Sequence, residues 1–268
     1  MKSKHRSSEV ENQKRNCVGL VLGGGGARGF VQVGALKAFY EHGIDFDLVV
    51  GTSVGSIVGA LYCAGVSVDE ITGAAECLDM GDFHGRILFK SDDPRKIGRV
   101  VGGLIGDVNI EDLPKKFAAI STDLKTGKQI VLNSGSVLTA VSASSAFPIV
   151  YTPLSVDGRN LCDGGLVNNI PADVARLMGA DKTVTVDAHG TRGSGTDGTG
   201  IFDTLRAMLS IMSANASTVG LMQSDIVIAP DTSAFKSTSK AGYKEMIELG
   251  YAAAIERIEE IKALFEKE

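Results

Sequence analysis

Three short stretches of this chain carry residue types that could do acyl-transfer chemistry. Gly51-Thr52-Ser53-Val54-Gly55 fits G-x-S-x-G, the pattern in which a Ser sits on a sharp strand-to-helix turn with its hydroxyl exposed. Gly24-Gly25-Gly26-Ala27-Arg28-Gly29 offers successive peptide N–H groups with no side chains in the way, which makes an anion cradle. Asp163-Gly164-Gly165 places a carboxylate on a glycine-permitted turn after the apolar pair Leu161-Cys162. A Ser hydroxyl is a weak nucleophile and needs a base within reach. The candidates are Asp163 and, among the four His, only His189, because it follows an apolar strand; His5 lies in a polar tail, His84 in an irregular stretch, and His42 at a helix end.

The elements needed to hold these groups are legible nearby. Val18 to Leu22 is a strand-like run that stops at the glycines, and Phe30 to Tyr40 carries apolar residues at helical spacing. Asp47 to Val50 and then Ser53 to Ala64 repeat the plan. Two successive βα units imply adjacent parallel strands, so both turns leave carboxyl ends of neighbouring strands and face one crevice. Ser53 is therefore expected beside the amides of Gly24, Gly25 and Gly26, which would form an oxyanion hole.

The glycine run also satisfies G-x-G-x-x-G, the dinucleotide pattern. That reading needs an acidic residue at the end of the second strand, where this chain has Gly51-Thr52-Ser53. A P-loop is excluded by the missing Lys and Ser/Thr. A nucleotide-binding module remains the alternative from a different class, and a Ser53-Asp163-His189 triad the alternative within hydrolases.

Further along, Phe117 to Ser121 and Gln129 to Leu132 read as strands around Lys125-Thr126-Gly127, and Ser136 to Ser145 as a helix. Ser155 to Cys162 reads as a hairpin across Asp157-Gly158. Pro171 opens a helix through Met178, and Thr183 to Val186 and Ile226 to Ile228 are buried strands. Gly190 to Gly200 is expected to be a mobile loop. Ile201 to Met222 is expected to be one long helix with Leu205, Met208, Leu209 and Met212 packed into the core, the competing reading being that Met208, Met212 and Met222 line an acyl groove. Tyr243 to Phe265 closes the chain as an amphipathic helix. Ser67 to Ile110 is helical and irregular, with Lys90, Arg95, Lys96 and Arg99 forming a basic cluster read as a solvated face; contact with anionic headgroups is the alternative.

The chain has 268 residues, 44% hydrophobic and 22% charged, with net charge −5, and 33 glycines as its one unusual feature. This acidic balance argues against nucleic acid as a partner. Cys17, Cys63, Cys77 and Cys162 form neither a C-x-x-C pair nor a zinc-ligand pattern, so no metal or cofactor is expected and a reducing cytoplasm fits. Residues 1–16 are polar and read as a disordered tail before a single domain at 17–268. No apolar stretch is long enough to span a bilayer, so any membrane contact is expected to be peripheral.

Taken together, the three motifs resemble, in order and spacing, those of patatin-like phospholipases. The similarity extends through Ser144-Ser145-Ala146-Phe147-Pro148 and Asp163 to Pro171, and covers nearly the whole chain after the tail; it is similar to the compact bacterial branch. The resemblance implies a three-layer α/β/α fold with a mostly parallel central sheet. It implies a Ser-Asp dyad without His, Ser53 as nucleophile and Asp163 as base, and amides of the glycine run as oxyanion hole. Arg28, Gly29, Gly51, Gly55, Gly164 and Gly165 match the supporting motif positions. It also implies hydrolysis of ester bonds in phospholipids or lysophospholipids. One departure is Gly23, where many relatives carry Asp.

Overall fold

The computed structural model describes residues 15–77, 92–189 and 200–267. In chain order the elements are β1 (Val18–Leu22), α1 (Phe30–Glu41), β2 (Leu48–Thr52), α2 (Val54–Cys63), α3 (Val68–Cys77), α4 (Arg95–Ile105), β3 (Lys116–Asp123), β4 (Lys128–Leu132) and α5 (Val137–Ser144). They continue with β5 (Leu154–Val156), β6 (Arg159–Asp163), α6 (Ala172–Leu177), β7 (Lys182–Val186), α7 (Ile201–Ala216), α8 (Thr218–Gln223), β8 (Ile226–Ile228), α9 (Tyr243–Ile255) and α10 (Ile258–Leu264).

The centre of the sheet is parallel, in the order β3-β2-β1-β7-β8, as successive βα units require. Side chains alternate between two cores. Leu20, Leu22, Val49, Phe117 and Ala119 face one layer with α1, α2 and α9, while Val21, Leu48, Val50, Ala118 and Ile120 face the other with α6. This period of two, with helices on both faces, gives the expected three layers. Gly34 and Gly250 let α1 and α9 cross in close contact, since a Cβ on either would meet the other's backbone.

The antiparallel part decides where Asp163 goes. β4 pairs with β3 over Ala119 to Asp123, occupying one edge of that strand. On the other edge β2 pairs over Lys116 to Ile120, and β6 takes over at once, with Asp163 opposite Ser121. The carboxyl ends of β2 and β6 therefore meet head-on against β3, Thr52 opposite Ile120 and Asp163 opposite its neighbour.

Several expectations need adjustment. β2 runs through Gly51 to Thr52 and does not stop at the glycine. Helix 201–222 is divided at Ser217, and the closing helix at Glu256-Arg257. Arg15 and Asn16 belong to the fold: Arg15 pairs with Asp47 and the Asn16 side chain donates to the carbonyls of Leu264 and Glu266. The core placement of the 201–222 helix fails for Leu205, Met208 and Met212, which are exposed, while Leu209 is half-buried. Arg95 and Lys96 are exposed and paired with Asp93 and Asp92. The expected mobile loop after Gly190, together with Lys90, His84 and His5, lies outside the described residues.

Candidate active site

The site assembles where β1, β2 and β6 end. Ser53 stands between β2 and α2 at φ 53, ψ −126, a left-handed conformation that a non-glycine residue adopts only when its surroundings force it. Its peptide N–H is held by the Ser144 hydroxyl at 2.9 Å, and its carbonyl accepts from the Ser56 hydroxyl and N–H. The flanking glycines are there for space. A Cβ on Gly51 would strike the Gly55 carbonyl, and one on Gly55 would strike the carbonyl of Leu22 and crowd that of Gly23. The elbow is thus seated directly on the glycine run, with Gly29 against Val54 and Gly24 against Ser53, whose Cβ would lie 3.3 Å from a Cβ on Gly24.

Asp163 is 3% exposed. Its Oδ1 accepts from the Gly165 N–H at 2.8 Å, its N–H donates to the Ala146 carbonyl, and its carbonyl accepts from the Thr122 hydroxyl. Burial pushes the carboxyl up to about 6 from an ordinary 3.8, while the Ser53 hydroxyl and the Gly165 N–H pull the other way. Ser53 is thus close enough to act on the carboxylate, yet Oδ2 has no well-formed hydrogen bond. A loose contact is the better description, and such pairs commonly tighten only around substrate. Gly164 is required because a Cβ there would meet the Ile120 carbonyl.

The glycine run is partly occupied by its own fold. The Gly24 N–H donates to the Asn169 carbonyl at 3.3 Å and the Ala27 N–H to the Ser237 carbonyl at 2.8 Å. The N–H groups of Gly25 and Gly26 have no partner among the described residues. Of the three amides expected as donors, that of Gly24 is thus already engaged and those of Gly25 and Gly26 are not. Arg28 is buried and turned into the structure: Nε donates to the Phe235 carbonyl and Nη1 to the His189 carbonyl, tying both loops behind the glycines. Burial lowers its pKa against the pull of Asp187.

His189 is not joined to the pair. Its N–H donates to Asp187, its carbonyl accepts from Arg28, and its ring is shifted down by burial and Arg28, with no bond to Ser53 or Asp163. Two residues outside the expected set matter. Ser144 orients Ser53, and Asn169 bridges the bends: its carbonyl takes the Gly24 N–H, its Oδ1 sits against Gly24 and Gly165, and its Nδ2 donates to Ser217. Both lie in stretches that extended the resemblance, which was the available signal. Among the described residues no group of three His, Cys, Asp or Glu could hold a metal ion, and no helix is long and apolar enough to cross a membrane.

The patatin-like phospholipase family model matches residues 20–176. An NTE family protein of Mycobacterium tuberculosis is 35% identical over 184 residues, 65% of this chain and 49% of that protein. Patatin-like phospholipase domain-containing protein 6 of Homo sapiens is 38% identical over 186 residues, 64% of this chain and 13% of that protein. The chain thus spans about half the length, or less, of these curated relatives. Among solved structures, VipD from Legionella pneumophila superposes with a TM-score of 0.57 at 16% identity, covering 91% of this chain and 67% of that one, which supports the fold. With the family match running through all three motifs, the chain belongs to the patatin-like phospholipase family.

Proposed function

We propose that this protein is a serine acyl hydrolase that cleaves fatty-acyl esters of phospholipids or lysophospholipids, with Ser53 as nucleophile and Asp163 as general base. The observation that carries the reading is a buried carboxylate on which the Ser53 hydroxyl acts as a hydrogen-bonding group, and which burial holds near 6. At neutral pH such a group is ionised yet basic enough to take a proton.

In the first half-reaction Asp163 accepts the Ser53 hydroxyl proton as Oγ bonds to the ester carbonyl carbon. The carbonyl oxygen becomes an oxyanion facing the unengaged Gly25 and Gly26 N–H groups, a kind of donor worth about 3–4 kcal/mol each in related chemistry. Collapse breaks the bond to the alcohol oxygen, which leaves with the proton from Asp163. Water then gives its proton to Asp163 and attacks the acyl-Ser53; release of the fatty acid returns the proton to Oγ. Relatives that share the domain are named as phospholipases or esterases, which agrees with this substrate class.

Labelling with a fluorophosphonate probe and mapping the modified peptide tests the assignment. Label on Ser53 that vanishes in Ser53→Ala and falls strongly in Asp163→Asn is expected; label on another residue would overturn it.

A further inference from the structure

The α7–α8 helix pair is built inside out. Ile201, Leu205, Met208, Met212, Val219 and Met222 follow one another at steps of three, four and seven residues, so they form one stripe, interrupted by the exposed Asn215, and they stand 39% to 81% exposed. Ser217 between the two helices keeps right-handed helical angles, φ −82 and ψ −22, so the stripe keeps its direction across the junction. On the other side Asp203, Ser210 and Ser213 are half-buried, and Ser213 Oγ comes within 3.2 Å of where a Cβ on Gly165 would lie. A helix on a water-soluble surface normally does the reverse, turning its apolar stripe inward. An apolar strip of this length facing outward marks a surface that something covers.

Two observations select the occupant. From Ile201 to Gln223 the only charged residues are Asp203 and Arg206, and both fall off the stripe, so neither a charged peptide nor a polyanion would be recognised there. The polar side of the same helix packs on the turn Gly164–Leu166 that follows Asp163. A hydrocarbon surface covering the stripe would lie only about one helix diameter, roughly 10 Å, from the catalytic carboxylate. That is the side from which a water-insoluble ester has to arrive.

We infer that α7–α8 docks this protein on a lipid bilayer, the stripe seated at the boundary between headgroups and acyl chains and the polar side turned to Asp163. The choice of lipid as occupant rests on the acyl hydrolase reading. Because the stripe carries no cation, docking is apolar: it works on zwitterionic phosphatidylcholine and survives high salt, unlike polybasic attachment to anionic lipid.

The full chain and its Met208→Asp/Met212→Asp variant are compared by co-sedimentation with phosphatidylcholine vesicles at low and high salt. Thermal unfolding, light scattering and hydrolysis of a monomeric short-chain nitrophenyl ester accompany it. Wild type is expected to bind at both salt concentrations. The variant is expected to lose at least about ten-fold in partitioning while Tm, oligomeric state and short-ester kcat/KM stay unchanged, and Met208→Leu/Met212→Leu to bind like wild type. Equal binding by wild type and the Asp variant, or no binding by wild type, overturns the inference. So does dissociation of an oligomer in the variant, which would make a second copy the occupant, or a large fall in Tm, which would mean the chain covers its own stripe. Vesicle binding lost in the Asp variant, in a protein that cleaves no ester at all, would keep the docking surface and sink the acyl hydrolase reading instead.

Discussion

Replacing Asp163 by Asn should stabilise this protein while silencing it. The carboxyl titrates near 6 in the fold against 3.8 when exposed, a rise of about 2 units, with burial the main cause. At about 1.36 kcal/mol per unit, keeping it ionised above pH 6 costs the native state about 3 kcal/mol. The sign follows from proton binding. Between pH 4 and 6 the folded group holds a proton that the unfolded chain has lost, so stability falls as pH rises through that window. Below pH 4 both states are protonated and the cost disappears. Asn has no charge to desolvate, and its Oδ1 can still accept the Gly165 N–H. At roughly 2–4 °C per kcal/mol for a chain of this size, the variant should melt up to about 10 °C above wild type near pH 7.5 and level with it near pH 4. Thermal unfolding followed by circular dichroism across that pH range, at fixed ionic strength, measures the gap. A variant that is no more stable than wild type at pH 7.5, or a gap that does not change with pH, would refute the reasoning that this carboxylate is held against desolvation.

Because the base must be ionised, kcat/KM on a soluble ester should climb about ten-fold per pH unit below pH 6 and level off above it; a profile flat from pH 5 to 8 would remove Asp163 from the reaction. His189→Ala should leave activity within about three-fold of wild type, since its ring bonds to neither member of the pair, whereas a loss of around 10⁴-fold in the same assay would transfer the base role to His189. Ser53→Gly should raise stability by about 1 kcal/mol or more by relieving the positive φ, while Ser53→Ala, which keeps a Cβ at that angle, should not; equal melting temperatures for the two variants would show that the elbow stores no strain.

The elements around the elbow were legible because their signals are local. A five-residue apolar run, a glycine turn and a helical period are each contained in about a dozen residues, and both βα units emerged where expected. What the sequence could not show directly was long-range register. Asp163 reaches Ser53 because β6 takes over the edge of β3 at the residue where β2 leaves it, and no periodicity within β6 encodes that. The fate of individual amides was equally hidden: Gly24 looks the same as Gly25 in sequence, and only the approach of the Asn169 carbonyl separates them. The α7–α8 helices show a further limit. Periodicity locates an apolar stripe, but a stripe that packs into the core and one left exposed have the same spacing.

The glycines, Ser53 and Asp163 answer one physical requirement. Ser53 is held at a strained angle and Asp163 is buried with its carboxyl pushed up, so each is in a state it would leave if its neighbours gave way. The neighbours cannot give way, because the bends meet through backbone. Gly55 lies on the Leu22 carbonyl and Gly164 on the Ile120 carbonyl, both anchored in parallel strands, and Gly51 lies on the Gly55 carbonyl in the first turn of α2; none of these shifts as a flexible side chain would. Each glycine thus marks a contact where a methyl group would push apart the strand ends that keep hydroxyl and carboxylate together. The motif is best understood as the footprint of that contact.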